Sequence, residues 1–258
     1  MLSDSNARLA AARRLTSRRG RREAGRFLAE GAQAVREALA SPGVVVDVFA
    51  TATALDRHRD LLGPSAVSVS EISERAASAL SETMAPQGLI AVCERVDVSL
   101  ATALDRAPAL IVVLVEPNDP GNAGAILRTA DAAGADAVVF AGDAVDPYNG
   151  KTVRATAGSL FHVDVVLAAD PSATVRACRQ AGLMTVATSG AAAREIDGLA
   201  LHQPTAWLFG NEAHGLAEEM IAECDFTARV PVYGRAESLN LAAAAAVCLY
   251  ASARAQRG

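Results

Sequence analysis

Three stretches of this chain set Asn, Glu, Ser or Arg beside Gly or Pro, each after a short apolar run. The first, from Glu116, holds Asp119-Pro120-Gly121-Asn122, then Gly124, Ile126 and Arg128-Thr129-Ala130. The second is Leu208-Phe209-Gly210-Asn211-Glu212, ending at His214-Gly215. The third runs from Val230-Pro231 through Tyr233-Gly234-Arg235 to Glu237-Ser238-Leu239-Asn240. Polar groups gather where parallel strands end, so three such turns point to one composite site. The start of a helix at Asp119–Asn122 offers free N–H groups to anions or polar ligand atoms. Glu212 can accept a hydrogen bond or cap the helix after it. Ser238 and Asn240 suit a helix start, as caps or as pocket walls. Arg128 lies off the apolar stripe of Ala123, Ile126, Leu127 and Ala130, which leaves it either a solvated residue or a grip for a ligand. His214 is of a residue type that can serve as a general base, but it has no Cys or Ser nucleophile pattern beside it. The Gly121-x-x-Gly124 spacing is not GxGxxG, which disfavours a nucleotide-dependent oxidoreductase.

The elements that must carry these turns can be read from hydropathy. Leu110–Val115 is apolar at every position, as in a parallel strand covered on both faces. Further strands are expected at Ala137–Phe140, Val163–Leu167, Leu183–Ala187, Ala206–Phe209 and Phe226–Val230. Helices alternate with them at Asn122–Ala133, Ser172–Ala181 and Ser238–Arg254, which predicts a doubly wound α/β sheet over residues 109–258. Ahead of it, residues 1–97 alternate helix and strand on a smaller scale. A basic helix is expected at Asn6–Thr16, and a helix at Ala32–Leu39 entered through Phe27–Gly31. Strands are expected at Val44–Phe49, Val67–Val69 and Gly88–Cys93, with helices at Ala54–Leu61 and Glu71–Leu80. Residues 95–108 lose the strand pattern and end in Pro108, and 98–108 are expected to be a linker.

The chain has 258 residues and a net charge of −5, yet residues 1–26 hold eight arginines against Asp4 and Glu23. That local balance of +6 can contact phosphates even on an acidic protein, or can be a solvated helix face or tail. Cys93, Cys178, Cys224 and Cys248 are widely separated with no CxxC pair, which predicts buried free thiols and no metal site. Met1-Leu2-Ser3-Asp4 has no basic-then-apolar leader pattern, and the longest apolar run, Leu241–Ala251, is short of the roughly 20 residues of a membrane helix. A cytoplasmic protein without membrane partners is expected.

Together the three stretches resemble the three signature motifs of the SpoU/TrmH branch of the SPOUT RNA methyltransferases, in the same order and at similar spacing. Val145-Asp146-Pro147-Tyr148-Asn149, with Arg154-Ala155, Gly158 and Leu160-Phe161, resembles a further family segment. Arg26–Gly31 and Pro86-Gln87-Gly88 are similar to the substrate-binding domain of two-domain members acting on ribosomal RNA. The resemblance implies a small α/β RNA substrate-binding domain followed by a SPOUT α/β domain with a deep trefoil knot, its threaded element being Ser238–Arg254. It implies S-adenosylmethionine as cofactor, held near Leu208, Gly210, Val230, Ser238 and Leu239. It implies a homodimer and methyl transfer to a ribose 2′-OH, in 23S ribosomal RNA or alternatively in tRNA. Asn122, Arg128, Glu212, Ser238 and Asn240 would form the catalytic set. A catalytically silent RNA-binding protein of the same fold is the other alternative.

Overall fold

The computed structural model describes residues 1–63 and 67–258. The chain forms two compact units. One comprises Met1–Val96 together with Asp146–Phe161, the other Asp97–Val145 together with His162–Gly258.

In the first unit, helices α1 (Ala7–Arg14) and α2 (Arg18–Ala24) precede strand β1 (Arg26–Glu30) and helix α3 (Ala32–Ala40). Then come β2 (Val45–Ala50), α4 (Ala52–Arg57), α5 (Arg59–Leu62), β3 (Val69–Glu71), α6 (Glu74–Leu80) and β4 (Leu89–Glu94). The sheet order is β1-β4-β2-β3, with β4 antiparallel to both β1 and β2, and β3 parallel to β2. Asn6 starts α1 by accepting the Arg8 N–H, and Ser17 starts α2 by accepting the Gly20 N–H. Leu9 and Ala12 of α1 and Leu15 at its C-terminal cap enter a core with Leu28, Phe49, Ile90 and the α6 residues Ala76, Ala77 and Leu80. The basic stretch is thus a folded part of this unit. Arg8 pairs with Asp47, Arg26 with Glu94 at 2.7 Å, and Arg14 and Arg19 share Glu23. Phe27–Glu30, expected only as the approach to a helix, is strand β1. Its partner β4 supplies the hydrogen bonds that its local sequence does not advertise.

The second unit begins with β5 (Asp97–Val98) and α7 (Leu100–Asp105), so residues 98–108 are not a linker. Ser99 caps α7 through the Thr102 N–H, and Ala103 is buried in the core of the unit. Next come β6 (Leu110–Val115), α8 (Pro120–Ala133) and β7 (Ala137–Ala141). Helix α9 (Gly150–Thr156) belongs to the first unit. The chain returns with β8 (Asp164–Ala168), α10 (Pro171–Gln180), β9 (Met184–Thr188), β10 (Thr205–Phe209), α11 (Glu218–Glu223), β11 (Phe226–Ala228) and α12 (Leu241–Arg257). All seven strands are parallel, in the order β11-β9-β10-β6-β7-β8-β5. The expected α/β class and parallel sheet are therefore present.

Chain direction through this sheet reverses at the β6–β10 neighbours. From β6 it steps to β7 and β8, then jumps across to β9 and inserts β10 beside β6. Such a switch point is where open α/β sheets bind ligands. One face packs Ile111, Val113 and Val115 with α7 and α10. On the other face Trp207, in register with Val112, donates its indole N–H to the Ser252 hydroxyl of α12 at 2.9 Å. Helix α12 packs on α8, β6 and β10, which puts its start above the switch point. Among the described residues, no helix is long and apolar enough to cross a membrane.

Candidate functional site

The first stretch leaves β6 through Glu116, a non-glycine residue at φ +50. Its N–H donates to the Ala141 carbonyl at 2.9 Å, and its own carbonyl accepts Nδ2–H of Asn211 at 2.8 Å. Backbone held in this sparsely populated region persists only where neighbours over-determine it. Here those neighbours join the ends of β6 and β10. Asp119 then caps α8, accepting the N–H groups of Gly121 and Asn122 at 2.5 and 3.1 Å, with Pro120 at the first helical position.

The second stretch closes a tight turn between Asn211 and Gly215, with N–H to carbonyl bonds of 3.1 and 2.8 Å in both directions. Gly215 sits at φ +69. A Cβ on Gly210 would lie 2.2 Å from the Gly215 backbone carbon, so the close approach of the two chain segments requires glycine.

The third stretch differs from the expectation that the helix begins at Ser238. Helix α12 begins at Leu241, and Asn240 is its cap, accepting the N–H groups of Ala242 and Ala243 at 2.9 and 3.4 Å. Ser238 stays in the preceding loop and is exposed. Asn outranks a serine two residues earlier because its Oδ1 reaches both free donors of the first turn.

A single chain of side-chain hydrogen bonds joins all three stretches. Glu212 accepts the Asn118 N–H through Oε2 at 3.1 Å. Its Oε1 accepts the Asp119 N–H at 3.3 Å and Nδ2–H of Asn122 at 3.1 Å. Oδ1 of Asn122 in turn accepts Nδ2–H of Asn240 at 3.1 Å. Partial burial pushes the Glu212 carboxyl up, but these donors outweigh it and hold its pKa below the ordinary value. Glu212 therefore stays ionised at neutral pH and works as an acceptor that fixes the loop. The N–H groups of Asn118, Asp119, Gly121 and Asn122 are all taken by Glu212 or Asp119. The start of α8 is thus not the open anion site that its sequence suggests.

Arg128 stands apart. It is exposed on α8, away from the buried Ala123, Ile126, Leu127 and Ala130, and makes no hydrogen bond or ion pair among the described residues. At 100° per residue it lies about 240° around the helix from Asn122, so it does not join the network within this chain.

Beside the network a cleft of about 450 Å³ opens within the second unit. Thr188, Ser189 and Gly190 form one wall, Ala228 to Tyr233 another, and Glu237, Ser238, Leu239 and Ala244 a third. Val230, Ser238 and Leu239 of the expected cofactor set line it. Leu208 is one hydrogen bond removed, its carbonyl accepting the Thr188 hydroxyl at 2.8 Å, and Gly210 lies in the turn against Gly215. Thr188, Ser189, Gly190 and the Arg229–Glu195 pair, 3.1 Å apart, escaped the sequence reading. The signal was there, a polar turn with glycine after β9 like the other three. The cleft volume and its mix of aliphatic walls with hydroxyl and backbone groups fit a nucleoside-sized ligand such as S-adenosylmethionine. Cys93, Cys178 and Cys248 are buried and Cys224 is partly so. Burial pushes Cys178 up to about 11 and Cys248 to about 12, so neither is a nucleophile.

The model of the SpoU rRNA Methylase family matches residues 109–250, and that of the MRM3-like substrate binding domain matches residues 6–91. Over 244 residues the chain is 38% identical to the 23S rRNA (guanosine(2553)-2′-O)-methyltransferase RlmP of Bacillus subtilis, covering 92% of this chain and 92% of that one. The AdoMet-bound rRNA methyltransferase of Sinorhizobium meliloti is similar at 32% identity and a TM-score of 0.85, over 98% of this chain and 97% of that one. The SpoU methyltransferase AviRb of Streptomyces viridochromogenes, solved with AdoMet, is similar at 32% identity and 0.83, over 96% and 98%.

Proposed function

Because the chain belongs to the SpoU rRNA methylase family, we propose that it is an S-adenosylmethionine-dependent 2′-O-ribose methyltransferase acting on 23S ribosomal RNA. The observation that carries this reading is the chain Glu212–Asn122–Asn240, which ties the three stretches together one residue from Leu239 in the wall of the cleft. Val230, Ser238 and Leu239 hold the cofactor, with Thr188 fixing Leu208 behind them. When bound, S-adenosylmethionine supplies a methyl group already activated on a positively charged sulfur.

The chain's own residues do the rest. The ribose oxygen must be aligned with the methyl group and must lose its proton. Glu212 is held ionised by three donors, so it orients Asn122 and does not act as an acid. Asn122 and Asn240, each amide fixed by the next, position the ribose. Ser238 faces the cleft and shapes the pocket. Arg128, a guanidinium with donors and no acceptor and so no base, grips the adjacent phosphate and stabilises the developing alkoxide, while phosphate or water takes the proton. Its separation from Asn122 in one chain supports its delivery by a second subunit, and the exposed Val247 and Tyr250 of α12 support a homodimer. The return of α12 from edge strand β11 to the centre of the sheet is compatible with the threaded helix of a trefoil knot. Arg18 and Arg22, exposed on α2, are the phosphate contacts of the first unit. A cytoplasmic location follows from the substrate.

Ribose-methylation mapping of total RNA from a deletion strain against its parent tests the proposal. One 2′-O-methyl mark in 23S rRNA is expected to disappear. A mark lost from tRNA instead, or no mark lost, overturns it.

A further inference from the structure

Tyr233 is 91% exposed, the most exposed aromatic side chain in the structure, and it sits in the wall of the cleft. Of ten aromatic residues, most are buried in the two cores; Tyr250 is about half exposed. Tyr233 makes no hydrogen bond and packs on no other ring among the described residues. Scattered exposed apolar residues need no explanation, but this one is joined at the same mouth by exposed Val232 and Leu239. Arg235, two residues on, is exposed and has no hydrogen bond or ion pair among the described residues, and of the two acids that line the cleft Glu195 is already paired with Arg229. An unpacked ring beside a free guanidinium suits an unstacked ribonucleotide, which needs a flat surface for its base and a cation for its phosphate.

We propose that Tyr233 is the stacking platform for the base of the nucleotide being methylated or of its immediate neighbour, with Arg235 on the adjoining phosphate. This rests on the methyltransferase reading above and deepens it. The target base leaves its helical stack, lies on the phenol ring and so brings its ribose to the network of Asn122 and Asn240. The phenol hydroxyl has no part in this, because stacking uses the face of the ring.

Steady-state methylation of 23S rRNA from the deletion strain tests the assignment, with Tyr233→Ala and Tyr233→Phe beside the wild type. Tyr233→Ala is expected to raise KM for RNA about tenfold to a hundredfold, the loss of one stacked base. Tyr233→Phe is expected to remain within about twofold of wild type. Calorimetric affinity for S-adenosylmethionine and the oligomeric state should be the same in all three. The proposal is overturned if Tyr233→Ala keeps its KM, or if Tyr233→Phe is equally damaged, which makes the hydroxyl the active part. It is also overturned if Tyr233→Ala loses cofactor affinity or changes oligomeric state, which makes the ring a cofactor wall or a subunit contact. A wild-type enzyme inactive on this RNA while it binds the cofactor sinks the underlying choice of substrate instead.

Discussion

Two arrangements of charge decide what single residues can do here. Glu212 sits against N–H donors from three residues and has a lowered pKa. A carboxylate with a depressed folded pKa contributes stability that is present above its unfolded pKa and lost as pH falls through the folded one. Its hold on the loop therefore persists to below the ordinary carboxylate range, and an acid limb of activity near neutrality cannot come from Glu212. Arg128 is the opposite case, an exposed cation with no hydrogen bond or ion pair among the described residues. Arg128→Ala should leave the melting temperature and calorimetric cofactor affinity unchanged, because it removes no hydrogen bond or ion pair among the described residues. It should lower kcat by about 10² to 10³, the cost of removing one donor to a developing oxyanion. Turnover within a few-fold of wild type would remove Arg128 from the reaction. The sequence marks both residues by type, but only the fold separates a locked acceptor from an unpartnered cation.

At the scale of elements, the start of α12 does two things with one side chain. Oδ1 of Asn240 caps the helix while Nδ2–H holds Asn122. The two roles separate by mutation. Asn240→Ala should lose the cap, about 1 kcal/mol, and lower Tm by roughly 2–4 °C along with activity. Asn240→Asp keeps an oxygen for the Ala242 and Ala243 N–H groups but has no donor for Asn122. It should melt near wild type in a thermal scan and still lose at least tenfold in kcat. Equal activity of the aspartate variant would reduce Asn240 to a cap. Much of this level was legible beforehand. The apolar runs of β6, β7 and β10 and the stripe of α8 were plain, because strands buried on both faces are apolar throughout. Three features were hidden, each for a physical reason. Strand β1 depends on antiparallel pairing with the distant β4. Residues 98–108 look irregular because β5 is only two residues long and α7 only six. The helix boundary at Asn240 turns on which of two good caps reaches the free donors.

For the whole molecule, the division into units does not follow the order of the chain. Asp146–Phe161, embedded in the stretch read as the methyltransferase domain, packs into the first unit. Tyr148 is buried there against Phe27, ring centroids 4.8 Å apart, and its hydroxyl accepts the Val96 N–H at 3.1 Å. Arg21 and Asp146, whose side chains are 5% and 14% exposed, pair at 2.8 Å, and Arg21 also donates to the carbonyls of Leu15 and Thr16. Arg154 reaches Glu30 at 3.3 Å. The chain thus passes between the units three times, at 96–97, 145–146 and 161–162. No sequence pattern announces this, because the ion pair spans 125 positions and its partners look like surface residues. Removing one partner of a buried pair leaves the other charged and unpaired, which costs about 3–5 kcal/mol. Arg21→Ala should therefore destabilise the first unit by several kcal/mol and split thermal unfolding into two calorimetric transitions, the earlier one belonging to that unit. The cleft of the second unit contains none of these residues, so affinity for S-adenosylmethionine below the first transition should stay at the wild-type value. A single unshifted transition would show that the Asp146–Phe161 segment is not what completes the first unit, whereas loss of cofactor affinity below the first transition would show that the two units fold as one.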